Sequence, residues 1–234
     1  MQKLLVVTLL LATLAGYSLG QNPAPSPSPA APAPAQTPAP AVVVAPVPAP
    51  VLETKLVVSI PEQKLAVVVN NKVCRIYRIS TSRYGEGDAL GSWCTPVGRL
   101  AVASKIGAAV PVGGVFCGRR YTGEILSVNA PGRDPIVSRI IWLRGLQETT
   151  RNAYHRCIYI HGTPQEDFLG RKSSYGCIRM RSSDVVEIFN WVTTGTDVAI
   201  VEKPINRAVK DLADEHALAA SNVARPEEKS AVLR

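Results

Sequence analysis

Residues 21–52 hold eleven of the chain's nineteen prolines, mostly alternating with alanine, and no charged side chain. Proline lacks a backbone donor and has a fixed φ, so such a run resists helix and sheet and favours extended polyproline II. It divides the 234 residues into a part that can build a core and a part that cannot. It reads as a semi-rigid spacer with a reach of about 3 Å per residue. Before it, residues 1–20 carry one lysine, Lys3, then an apolar run from Leu4 to Leu14, then small residues ending at Gly20. That is the layout of a secretory signal, with an uncleaved anchor as the lesser reading. The apolar run is shorter than the roughly 20 residues a bilayer span requires.

The foldable part is therefore expected at residues 53–204, one domain with room for its own core. It carries twenty Lys/Arg against thirteen Asp/Glu, nearly all of the chain's excess of +8. Residues 205–234 have five of each sign and read as a polar tail, partly helical. A basic domain suits an anionic partner. No basic helix interleaved with aromatics occurs, and export argues against nucleic acid, so an anionic envelope polymer is the expected partner. Cys74, Cys94, Cys117, Cys157 and Cys177 would sit in an oxidising compartment. Five is odd, and no C-x-x-C or zinc spacing occurs, so no metal site is expected. One free thiol with up to two disulfides is the economical expectation.

Strand signals dominate. Residues 56–60 and 65–69 read as strands joined by a Pro61 turn, Asn70-Asn71 as a second turn, and 73–79 as an alternating half-buried strand. Residues 85–98 read as loop and 100–104 as strand. The glycine-rich stretch 111–134 reads as a long surface excursion of the kind that forms a lid. Residues 136–146 and 157–160 read as strands, the second delivering His161 to a loop. Ser182 and Ser183 are candidate caps of a short helix through Val192, with Asp184 favourable at its positive end. Gly195 ends it, and 197–202 returns as a strand. The fold class expected is mainly β, a sandwich with few short helices.

The chemistry concentrates in IHGTPQEDFLGRKSSYGCIRM, residues 160–180. His161 is one of three histidines and lies sixteen positions before Cys177. A thiol becomes a nucleophile when a histidine takes its proton, and nearby cations favour the thiolate. Arg171, Lys172, Arg179 and Arg181 flank Cys177, so an acidic thiol is expected. Gly176 permits close approach of a substrate carbonyl, and the neighbouring amides would then face a developing oxyanion. An isolated cysteine or histidine is more often structural, and spacing alone leaves that reading open here. His155 and His216 have no partner pattern and read as structural or solvent-exposed.

The motif resembles the signature of the L,D-transpeptidase catalytic domain family, His-Gly-Thr followed by Ser/Thr-x-Gly-Cys-x-Arg/Asn. VVSIPEQKLAVVVNNKVCRIYRISTS is similar to that family's opening strands, TPVGRL to its Thr-Pro-x-Gly element, and IIWLRG before IYIHGT to one branch of it. The likeness spans residues 55–201. It implies an L,D-transpeptidase-like β-sandwich with Cys177 as nucleophile and His161 as base. It further implies an oxyanion hole of the amides around Tyr175, Gly176 and Cys177, and a carbonyl near Gly162 orienting the imidazole. Ser174 would position the loop, and Arg179 would brace the site or meet a substrate carboxylate. The substrate implied is the tetrapeptide stem of peptidoglycan, attacked at the third, diamino residue with release of D-alanine, without metal or cofactor. A hydrolase trimming the same stem would share every residue, and a non-catalytic wall-binding module would keep only the fold. Tyr175 departs from the family, which commonly has a second histidine there.

Overall fold

A computed structural model describes residues 53–223. The signal and spacer readings, and residues 224–234, lie outside the described residues. The elements are β1 (Thr54–Ser59), β2 (Lys64–Val69), β3 (Lys72–Ser80), β4 (Gly98–Ile106), β5 (Gly114–Cys117), β6 (Arg120–Ile125), β7 (Val137–Gly145), β8 (Tyr159–Gly162), β9 (Ile178–Met180), α1 (Ser182–Trp191), β10 (Asp197–Val201) and α2 (Ile205–Val223). The domain is mainly β, as the patterning predicts.

The sheet order is β4-β10-β1-β2-β3-β9-β8-β7-β5-β6, and β4 also pairs with β7. That last pairing closes eight of the strands on themselves and leaves β5 and β6 as a hairpin on the start of β7. Closure removes exposed edges along most of the wall. The core inside combines alternate residues of the wall, such as Leu56, Val58, Leu65, Ile160 and Ile178, with Val185, Ile188 and Phe189 of α1. β1 is apolar on both faces because its other face is covered too. Val57, with Ala66 and Val68 of β2, packs under Ile205, Ala208 and Val209 of α2. β3 shows the expected alternation only in its second half. Tyr77 and Ile79 are buried while Ile76 faces solvent, and a register shift against Val67 and Val68 resets the pattern before that.

Several expectations are corrected. Residues 111–134 are not an irregular excursion but contain the β5–β6 hairpin, whose two-residue turn Gly118-Arg119 has no Asn-Gly signal. β9 is three residues long and hidden inside the motif. The cap of α1 is Arg181, without a side-chain cap bond. Instead the Ser182 amide donates to Glu166 Oε1 at 3.0 Å, and Ser183 Oγ donates to Asp184. A carboxylate from a remote turn outcompetes the local hydroxyls at a positive helix end. All five cysteines are free thiols. Cys74 lies on β3 and Cys117 on β5, with β9, β8 and β7 between them in the sheet, and Cys94 Sγ donates to Tyr84 O at 3.2 Å.

Candidate active site

The alternation of β8 and β9 decides where the chemistry sits. In a strand, successive side chains point to opposite faces. Ile158, Ile160, Ile178 and Met180 point into the core. Tyr159, His161, Cys177 and Arg179 therefore point to the outer face of the wall. β8 and β9 are parallel, with His161 opposite Arg179. Two residues earlier the same register brings Cys177 beside Tyr159, whose amide donates to Cys177 Sγ at 3.4 Å. The histidine and cysteine, sixteen residues apart in sequence, thus share one face of adjacent strands at a diagonal of roughly 8 Å between α-carbons. Phe116 of β5 packs with Ile140 and Tyr159 over this face, and Cys157 and Cys177 border that cluster.

His161 is almost fully buried. Its Nδ1 lies 2.8 Å from the Gly162 carbonyl. A carbonyl only accepts, so Nδ1 carries the proton and Nε2 is the free base. Gly162 allows this because a Cβ there would stand 2.7 Å from Val137 O. Burial pushes the imidazole down to about 4, the Asp134 charge opposing that. Burial also pushes the Cys177 thiol up to about 11, against the Tyr159 amide bond and the Arg156 and Arg179 charges. The acidic thiol expected from the flanking cations is not what the fold produces: those side chains are neutralised or point away, and desolvation dominates. Both groups rest uncharged, with the thiol donating to Cys157 O at 3.4 Å.

The loop before β9 is held from several sides. Ser174 Oγ donates to Cys177 O at 2.6 Å and accepts from Gly176 N at 3.2 Å. Gly176 has φ +117, and a Cβ would meet Cys94 O at 3.1 Å, so only glycine fits this crossing of two loops. Thr95 Oγ1 donates to Gly176 O at 3.0 Å and accepts from Ser82 N at 3.0 Å. This is what the Thr95-Pro96 element does. Arg156, buried with Asp88 at 3.0 Å, ties the same loop down through Cys94 O at 2.6 Å. The Gly176 amide is spent on Ser174. The amides of Tyr175 and Cys177 have no acceptor among the described residues, so two of the three expected oxyanion donors remain for a ligand.

Arg179 is buried, and its guanidinium is committed to Asp134 and Ser173 Oγ. Thr163 Oγ1 donates to the other oxygen of Asp134. The arrangement braces β8 against β9 through both terminal nitrogens of the guanidinium, and its Nε is buried without a partner among the described residues. Tyr175 is 54% exposed and packs with Tyr84 at 5.7 Å and Trp93 at 5.9 Å, under the Arg83 guanidinium. Sequence reasoning missed Asp134, Thr95, Tyr159 and Arg156 as site residues. Thr95 had a signal in TPVGRL and Tyr159 in IYIHGT. Two cavities among the described residues, of about 540 and 550 Å³, do not include His161 or Cys177 in their walls.

With this geometry in hand, the similarity to known proteins is specific. A family model described as the L,D-transpeptidase catalytic domain matches residues 53–200. YqjB of Bacillus subtilis (strain 168), which carries the L,D-transpeptidase name, is 30% identical over 161 residues, 69% of this chain and 77% of that protein. YcfS of Escherichia coli (strain K12), named likewise, is 42% identical over 53 residues, 23% of this chain and 17% of that protein. A crystallised L,D-transpeptidase from Mycobacterium tuberculosis H37Rv aligns at 20% identity and a TM-score of 0.42. That alignment covers 64% of this chain and 58% of that one, less than two thirds of its length. The family match covers more than half of the sequence, and the chain belongs to the L,D-transpeptidase catalytic domain (YkuD) family.

Proposed function

We propose that this protein is a cysteine-dependent L,D-transpeptidase acting on the tetrapeptide stems of peptidoglycan. It would be exported to the periplasm or cell envelope, its domain 53–204 held out by the Pro/Ala spacer. The observation that carries the reading is the shared outer face of β8 and β9, onto which a neutral thiol and a neutral imidazole with a free Nε2 both project.

The chemistry follows from the resting charges. Neither ion exists beforehand, so Cys177 Sγ gives its proton to His161 Nε2 as the sulfur attacks the carbonyl of the third stem residue. The carbonyl oxygen becomes an anion facing the Tyr175 and Cys177 amides. Collapse breaks the peptide bond, forms the thioester and releases D-alanine, whose nitrogen takes the proton from His161. An amine of a second stem then attacks the thioester. His161 takes its proton, the new amide forms, and the thiol is restored. Arg179, Asp134 and Thr163 keep the two strands in register. Water in place of the amine would make the same site a carboxypeptidase.

Intact mass of the protein after incubation with tetrapeptide stems tests this, together with product analysis. Expected are a Cys177 acyl adduct and a dimeric stem. Loss of D-alanine without dimer would assign the hydrolase. A folded protein with no adduct and no unusually reactive thiol would leave only the binding module.

A further inference from the structure

β5 and β6 are joined by Gly118 and Arg119, with φ of +52° and +67°. A two-residue hairpin turn of this hand needs positive φ at both positions, which asparagine and glycine meet at least cost. Arginine is held there against its own backbone preference, a strain of the kind found at ligand clamps. The turn carries the guanidinium onto the outer face of the wall. Its central carbon lies 4.8 Å from the Trp142 ring centroid, and Nη1 donates to the Tyr159 hydroxyl at 3.3 Å. Trp142 and Tyr159 are partners in the β7–β8 ladder, and Tyr159 is the neighbour of Cys177. The cation thus stands one tyrosine side chain away from the thiol.

Two of the other arginines near the thiol are paired with carboxylates, while Arg83 lies over the Tyr175 ring and donates to Ser173 O at 3.1 Å. Arg179 is paired with Asp134, and Arg156 with Asp88. Arg119 is exposed, and its partners are an indole face, a phenol and the Cys157 sulfur at 3.9 Å, with no carboxylate among the described residues. Burial pushes the Tyr159 phenol up to about 12. It therefore stays protonated, accepting from Arg119 with its own proton directed to Cys157. The exposed guanidinium, seated on the buried phenol, is a donor group for a carboxylate.

We infer that Arg119 and Tyr159 form a subsite for a carboxylate of the acyl-donor peptide. This rests on the stem-peptide reading above and deepens it. The carboxylate is borne either by the side chain of a diamino residue that has a second carboxyl group, or by the terminal D-alanine. Arg119 is a specificity residue for that group.

The test uses the full chain carrying Cys177→Ala, so that binding is read without turnover. Three tetrapeptide stems are titrated: both carboxylates free, the side-chain carboxyl amidated, and the terminal carboxyl amidated. With Arg119 present, one amidation weakens binding about tenfold or more, and the stem that suffers identifies which carboxylate is read. In Arg119→Gln that preference disappears, and Arg119→Lys keeps part of it as a point charge. A preference that survives Arg119→Gln, or binding indifferent to both carboxylates, overturns the subsite. Turnover by the otherwise native chain is read separately. Turnover without Arg119 dependence strikes the subsite alone. Arg119-dependent binding without turnover strikes the transpeptidase reading alone. No binding of any stem overturns both.

Discussion

The β7–β9 wall and the β5–β6 hairpin border the same thiol, yet they are held by different forces. In the wall, the polar groups at the site are buried against partners of fixed geometry: Arg179 with Asp134, His161 with Gly162, Cys177 O with Ser174, while Nε of Arg179 and of Arg139 is left without one. Hydrogen bonds in such surroundings are costly to leave unmade. The hairpin rests on the wall through Phe116 and is fastened at its base by Gly113 N donating to Ser138 Oγ at 2.9 Å. Its own ion pair, Arg133 with Glu124, is half exposed, and its tip carries a cation without a counter-charge. The wall is built to hold atoms in place, and the hairpin leaves charge available. The same residue type, arginine, is a brace in one region and an open donor in the other.

That contrast can be broken most severely at the thiol. Cys177→Ala is expected to lower turnover by about four orders of magnitude or more while leaving the melting temperature nearly unchanged. Stem turnover and thermal unfolding measured on one preparation check both halves. Next is Asp134→Ala, which strands the buried Arg179 and is expected to cost about 3–5 kcal/mol, because an uncompensated charge remains inside. Denaturant unfolding measures it. A loss below 1 kcal/mol would mean that Arg179 does not depend on Asp134 and that the pair is not the brace described.

The third effect depends on pH. The folded His161 titrates at about 4 against 6.5 for an unperturbed ring. The unfolded chain therefore takes a proton first as pH falls. Stability is fully present above about 6.5 and is lost progressively down to 4, by about 3 kcal/mol. Cys177 has the opposite sense: with the folded thiol at about 11 against 9.0, stability is full below 9 and declines as pH rises towards 11. Unfolding free energy followed across both windows should show two shoulders, the acid one absent in His161→Gln and the alkaline one in Cys177→Ala. A flat profile from pH 7 to pH 4 would contradict the buried neutral imidazole. The smallest effect belongs to the hairpin. Arg133→Ala should cost about 0.5 kcal/mol and vanish in high salt, as half-exposed pairs do. A loss comparable to that of Asp134→Ala would erase the distinction between the two regions.

Much of the fold was legible because its signals are local. The opening strands and tight turns, the strand around Ile140 and the helix after Ser182 follow from period and punctuation, each within a few residues. The Gly118-Arg119 hairpin was not, since arginine in a left-handed turn runs against the propensity a reader relies on. β9 escaped because its three residues are strand only by virtue of β3 and β8 on either side. At the site, His161, Gly162, Ser174, Gly176 and Cys177 stood out through residue type and spacing. Asp134 and Thr95 carry comparable structural weight but lie 45 and 81 residues from their partners Arg179 and Gly176.

The sequence by itself determined the family, and which residue types meet near the motif. These are properties of short windows, written in order along the chain. The tertiary structure decided the charge state of the thiol and imidazole, which of the arginines is neutralised, which loop amides are spent, and that Arg119 stands over Tyr159. Each of those depends on burial and on distances across strands far apart in sequence. Desolvation and Coulomb energies are set by such distances, not by order along the chain.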